Sequence, residues 1–202
     1  KMASAKTISD EVAADDNGIS ATAAVGDNAV LVIGGALHSG GSVTNTGGRI
    51  VEITSASDDS AIDFTVTGTD VDGNVLAQTI DGADGAAVTT AFFKTITKIQ
   101  AVGDPAGAVI AGTTTGAADV IFSGAGRLRG MTITSGGSAG VITLNNGLSG
   151  GIPGTVVFKA RTLGTDNTNE HYNFPDDGIL FSDGCYCTYT VGTIDMMTFY
   201  FN

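Results

Sequence analysis

The sequence predicts an all-β fold made of two consecutive small β-sandwich or jelly-roll-like modules, preceded by an extended N-terminal arm. Hydrophobic residues make up 42% of the 202 residues and charged residues 15%, a composition too apolar for a disordered chain. Short runs rich in Val, Ile and Thr alternate with clusters of Gly, Asn, Asp or Pro, which is the pattern of strands joined by turns. Lys, Glu and Leu are scarce compared with Thr, Val and Gly. A chain of this length forms one large or two small β domains.

The first 24 residues differ from the rest of the chain. They are polar and acidic and show no sustained hydrophobic period, so we expect an extended arm or loosely ordered leader, with a helical turn near Asp10–Ala13 as a further feature. The segment has no apolar core of the kind found in a secretory signal. Because Lys1 precedes Met2, the natural start of the chain is left open.

The two modules are predicted over residues 25–118 and 119–202. Of the 13 aromatic residues, 10 lie after Asp119, so the two halves need different core packing. The alternative is a joint inside one composite β domain, since no Pro-rich linker marks the boundary. The predicted strands are residues 29–33, 49–54, 61–68, 74–80, 90–102 and 108–112 in the first module, and 127–135, 140–144, 154–162, 178–182, 185–191 and 194–201 in the second.

The segment "FTVTGTDVDGNVLAQTI" (residues 64–80) predicts a hairpin. A three-residue loop that starts after Asp70 and places Gly73 in a left-handed conformation sets Phe64 opposite Ile80 and Gly68 opposite Leu76. One face of the hairpin is then largely apolar. A two-residue loop would instead place Phe64 opposite an aspartate and waste the apolar side.

The same segment raises the question of a calcium loop, because it contains three oxygen-rich side chains. An EF-hand loop that began at Asp70 would require glycine at its sixth position and glutamate at its twelfth. Val75 and Asp81 stand there instead. The segment is therefore interpreted as a turn, while a surface calcium site assembled from several loops is left open.

Two further β features are predicted in the second module. Residues 131–144 fold back through 136–139 and pair Ile133 with Ile142 and Met131 with Leu144. The closing strand, residues 194–201, carries apolar side chains on both faces. Such a strand usually lies between two packed layers, within one subunit or between subunits.

Side chains suited to catalysis are few. His38 and His171 lack the paired spacing of a zinc site, and Cys185 and Cys187 stand at the edge of disulfide geometry and are interpreted as packed thiols. The doublets Asp15-Asp16, Asp58-Asp59 and Asp176-Asp177 point to opposite sides of any strand and lie in turn-like contexts. We therefore predict no catalytic, cofactor-binding or metal-binding residues and no enzymatic activity.

The formal net charge is −12, of which residues 1–118 carry −9 and residues 119–202 carry −3. This balance offers no basic footprint for nucleic acid. The longest apolar stretch, residues 29–37, has half the length of a membrane-spanning helix. Arg127, Arg129, Lys159 and Arg161 are the basic residues after Asp119, and on one sheet they would form a docking surface for an acidic protein partner. The alternative is a solvated strand face whose charges discourage edge pairing.

Two long segments resemble modules of structural proteins from tailed bacteriophages, particularly marine ones. They are "RIVEITSASDDSAIDFTVTGTDVDGNVLAQTIDGADGAAVTTAFFKTITKIQAVG" and "RLRGMTITSGGSAGVITLNNG", the latter followed by "PDDGILFSDGCYCTY" and the closing apolar strand. The resemblance covers roughly residues 45–202. Its motifs are turns and strands, so it transfers no functional residues.

The resemblance implies a virion structural protein, most simply a capsid decoration (cement) protein assembled in the host cytoplasm. Its partners would be the major capsid protein or other virion proteins, and three-fold capsid sites favour a homotrimer. The N-terminal arm and the strand 194–201 are the predicted subunit contacts. Two alternatives are a tail, head–tail adaptor or fibre component that contacts host glycans, and a polysaccharide-degrading enzyme.

Overall fold

A computed structural model describes residues 4–165 and 168–202, and this part of the chain is all-β, as predicted. Its regular structure is sixteen strands, and no helix of the described residues has the length and hydrophobicity to cross a bilayer. The strands are β1 (Ser4–Ser9), β2 (Asp15–Ala24), β3 (His38–Ser39), β4 (Ser42–Asp58), β5 (Asp63–Thr69), β6 (Val75–Asp81), β7 (Asp84–Val88), β8 (Phe93–Val102), β9 (Ala108–Ser123), β10 (Gly126–Ser135), β11 (Ala139–Ser149), β12 (Ile152–Leu163), β13 (Asn169–Asn173), β14 (Ile179–Phe181), β15 (Gly184–Thr190) and β16 (Ile194–Phe201).

The chain divides into two compact units. The first unit is Ala14–Thr115, and the second unit combines Lys1–Ala13 with Gly116–Asn202. The boundary lies inside β9, whose residues 108–113 pair with β2 and whose residues 116–123 pair with β15. The small residues of "TTTGAAD", from which a joint near residue 118 was predicted, therefore form the interior of a long strand.

The predicted arm over residues 1–24 is divided between the two units, and its first three residues lie outside the described ones. β1 pairs antiparallel with β16, and Ile8 of β1 is buried in the core of the second unit. β2 pairs with β9 in the first unit and contributes Ile19 to that core. The arm differs from the prediction because these two apolar residues, isolated in the sequence, each complete a hydrophobic core.

In the first unit, β4, β8, β5 and β6 are neighbours in that order, while β7 pairs with the second half of β4. Alternate residues of these strands point inward, as expected for sheets with one buried face. The core includes Val51 of β4, Phe64 of β5, Leu76 of β6 and Phe93 of β8, all nearly fully buried. Burial of large apolar side chains such as these stabilises the unit by roughly 1.5–3 kcal/mol each.

The β5–β6 hairpin has the predicted register. Phe64 lies opposite Ile80 and Gly68 lies opposite Leu76. Gly73 has φ +84°, the left-handed conformation that the three-residue loop requires. The predicted strand at residues 29–33 is, by contrast, an extended segment joined to β8 by an isolated bridge at Val30.

The second unit is a sandwich of two sheets around one core. We call β1-β16-β10-β13, with β14 also paired to β10, the closing sheet, and β12-β11-β15 with the second half of β9 the facing sheet. Met131 and Phe199 from the closing sheet and Leu144 and Cys187 from the facing sheet are fully or almost fully buried in the same cluster. The core is also richer in aromatic rings than that of the first unit, and Phe158 packs edge-on against Tyr172 and Phe174.

The predicted pairing of residues 131–135 with 140–144 is wrong. Ile133 lies opposite Met197 of β16 on one side and Glu170 of β13 on the other, whereas Ile142 lies opposite Ala160 of β12. The Gly-rich connection crosses from the closing sheet to the facing sheet. Ile133 and Ile142 therefore meet through the core rather than as neighbours in one sheet.

The closing strand β16 is apolar on both faces, but the described residues cover only one of them. Met197 and Phe199 are buried, while Met196 and Tyr200 on the opposite face are 42% and 44% exposed. A bulge between the residues paired with Thr134 and Ser135 turns Ile194 to the buried side.

Candidate docking surfaces

Arg127 and Arg129 hold the turn that connects β13 and β14. The Arg129 guanidinium donates a 2.7 Å hydrogen bond to the carbonyl of Asp176. The Arg127 guanidinium lies 3.5 Å from the carbonyls of Asp177 and Gly178. Charge-assisted donors on successive carbonyls fix this turn against the edge of β10. The two arginines are half-buried and already have a structural role.

Lys159 and Arg161 stand on the facing sheet, at the outer side of β12. They lie directly opposite Thr143 and Val141 of β11, and both basic side chains are exposed. Their charges are therefore available to a partner, and Val141, the neighbour of Arg161 on β11, is 40% exposed.

The structure does not gather the four basic residues into one surface. Arg127 and Arg129 flank Leu128 on β10, and Lys159 and Arg161 flank the buried Ala160 on β12. Leu128 and Ala160 point into the same core from different sheets, so the two basic pairs point outward from opposite sides of the sandwich. The predicted docking surface required all four basic residues to lie on one sheet, and they do not. A docking role for either pair alone stays a prediction.

The aspartates of the first unit cap turns. Asp59 is 2% exposed and accepts hydrogen bonds from the Ser55 hydroxyl (2.5 Å) and from the backbone N–H of Ala106 (2.7 Å). The Ser60 side chain and backbone N–H hold the pKa of Asp58 below its ordinary value. These carboxylates are used in local structure, where aspartate is the residue that turns prefer.

The two cysteines are free and buried, in agreement with their interpretation as packed thiols. Burial raises the pKa of the Cys185 thiol to about 12. The pKa of Cys187 is raised well above its ordinary value, first by burial and then by the nearby Cys185 and Asp119. Since the thiolate is the nucleophile and the metal ligand, burial disfavours the reactive form of both side chains.

The surroundings of the two histidines do not indicate a role in catalysis or metal binding. His171 is exposed on β13, and its Nδ1 lies 3.1 Å from the Thr132 hydroxyl. His38 is exposed in the two-residue strand β3. Among residues 4–165 and 168–202, no group of three His, Cys, Asp or Glu side chains is arranged to hold a metal ion.

One acidic environment in the second unit was missed at the sequence level. Tyr189 is 4% exposed, and its pKa is raised by burial and then by the carboxylates of Asp119, Glu11 and Asp10. The Asp10 carboxylate also accepts a 2.8 Å hydrogen bond from the backbone N–H of Gly192. They come from three segments of the chain (residues 10–11, 119 and 189–192) that are at least 70 positions apart, so no sequence pattern indicates their proximity.

The first unit contains a shallow cavity of about 170 Å³. Its walls are neutral and offer hydroxyl groups but no ionisable side chain, so the cavity cannot supply an acid, a base or a charged nucleophile. The lining residues are Thr22, Thr54, Ser55, Ala56, Ala108 and Ile110.

Comparisons with known proteins give little further information. No protein-family model matches the chain, and no curated protein matches it significantly. One solved structure, titled "Crystal structure of a putative secreted protein from Parabacteroides distasonis ATCC 8503", is 11% identical to this chain. The match covers 97% of this chain and 99% of that one with a TM-score of 0.22, and a likeness this weak carries no argument.

Proposed function

We propose that this chain is a non-enzymatic structural protein of a tailed-bacteriophage virion, and specifically a capsid decoration protein that binds the outer shell and stabilises it. The observation that supports a structural role is that buried carboxylates of this chain accept hydrogen bonds within loops. Asp59 and Asp70 are buried and hydrogen-bonded to groups of the loops that they close. These two buried carboxylates therefore support turns, which fits a structural role.

The virion assignment is supported by the resemblance of residues 49–103 and 127–202 to modules of tailed-phage structural proteins. The hairpin that is central to the first of these modules has the register deduced from its sequence. Two β units with separate cores also provide much surface for contacts. A decoration protein needs such surface, because many modest contacts repeated over a shell give high avidity.

Lys159 and Arg161 support contact with an acidic protein surface. They are the exposed basic pair of the second unit, on a chain whose net charge is −12. An otherwise acidic protein is repelled by an acidic capsid surface unless it presents a local positive area to it. We propose that this pair faces the major capsid protein.

We further propose a homotrimer, since a closed ring satisfies the three-fold sites of a capsid. In solution, light scattering coupled to size exclusion should give three times the chain mass of 20.2 kDa. A monomeric mass that persists on the capsid would contradict the trimer but not the decoration role.

The copy number in purified virions tests the decoration role itself. Quantitative mass spectrometry of the phage that encodes this chain should find hundreds of copies per particle. Six, twelve or a few dozen copies would instead indicate a tail, portal or fibre component. Absence from the particle would overturn the virion proposal altogether.

A further inference from the structure

We draw no further inference here: the strongest candidate, the exposed outer edge of β12 beside Lys159 and Arg161, belongs to the docking surface already proposed, and nothing in the structure shows which strand pairs with it.

Discussion

Asp70 and Asn74 close the hairpin loop of the first unit from both ends. The backbone N–H of Asn74 donates a 2.9 Å hydrogen bond to the Asp70 carboxylate, and its side-chain amide donates another of 3.2 Å. The Asp70 backbone N–H in turn donates a 3.0 Å bond to the Asn74 carbonyl. The carboxylate that first suggests a calcium loop is thus occupied by the turn itself.

Replacing Asp70 with Ala should destabilise the protein by about 1–3 kcal/mol, because the backbone N–H groups of Asp72 and Asn74 lose the charged carboxylate that accepts their hydrogen bonds. Asp70→Asn keeps one acceptor oxygen and should cost less. Asp81→Ala, at the exposed far end of the same hairpin, is the matched control and should change the free energy of unfolding little. Urea unfolding measures all three, and equal stability of Asp70→Ala and the parent would show that the cap is not needed.

Gly68→Ala should destabilise the protein by about 3 kcal/mol or more. A Cβ at this position would lie 1.8 Å from the carbonyl oxygen of Thr95 on the neighbouring strand, where backbone must move to make room. Gly26→Ala is the control, because a Cβ there meets nothing within 4 Å. Thermal denaturation compares the two, and a tolerated Gly68→Ala would contradict the close approach of β5 and β8.

Cys185 and Cys187 should resist thiol reagents in the native protein. Burial raises the pKa of Cys185 to about 12, so the reactive thiolate is essentially absent at pH 8. A Val75→Cys variant places a third thiol at a position 88% exposed and should be labelled rapidly. Labelling is followed with a chromogenic disulfide reagent before and after denaturation.

The same pKa shifts set the sign of an alkaline effect. The unfolded thiols ionise near their ordinary value of 9.0, whereas the folded thiols stay protonated to higher pH. Stability from these groups is therefore complete below about pH 9 and falls as the pH rises above it. Labelling of native Cys185 as fast as that of Val75→Cys would show that the thiols are not buried.

Ser60→Ala should raise the pKa of Asp58 toward its ordinary value of 3.8, since the Ser60 side chain is the largest cause of its depression. The backbone N–H of Ser60 remains, so the return should be partial. Any stability from this exposed carboxylate is fully present at pH values above the pKa that Asp58 has in the unfolded chain. It is lost as the pH falls through the lower pKa that Asp58 has in the folded protein. Carboxyl-carbon NMR titration measures the change, with Ser60→Thr as the control that retains the hydroxyl.

Substituting Lys159 and Arg161 together by Ser should weaken binding to phage heads at least tenfold without changing the melting temperature, since both side chains are exposed. The pair Arg127 and Arg129, also changed to Ser, should instead lower the melting temperature, because these guanidinium groups hold the turn at Asp176. Co-sedimentation with heads that lack the protein measures binding. Unchanged binding of the Lys159 and Arg161 variant would remove this pair from the docking surface.

Local features could be predicted from the sequence because their determinants are close together along the chain. The β5–β6 register follows from the alternation around Phe64 and Ile80 and from the turn chemistry of Asp70 and Gly73. The packed state of the two cysteines likewise follows from their apolar strand. Neither feature requires knowledge of a distant partner.

Pairing between distant strands could not be predicted. Residues 131–135 and 140–144 have the alternation of a hairpin, yet their partners are β16 and β12. A Gly-rich connection can return within one sheet or cross to the other sheet. Which of the two occurs depends on the strands that pair with β10 and with β11, here β16 and β12. Pairing of β1 with β16 joins Ser4 to Phe201 and is likewise invisible to local patterns.

The sequence by itself determined that this protein is all-β, that its aspartates and glycines form turns, and where most strands lie, because alternation and turn chemistry act over a few residues. The tertiary structure alone decided that the arm contributes Ile8 and Ile19 to separate cores, that the basic residues point to opposite sides of a sandwich, and that β1 pairs with β16. The physical reason is that these arrangements depend on hydrophobic burial and strand pairing between segments that lie far apart in the sequence, which no local propensity encodes.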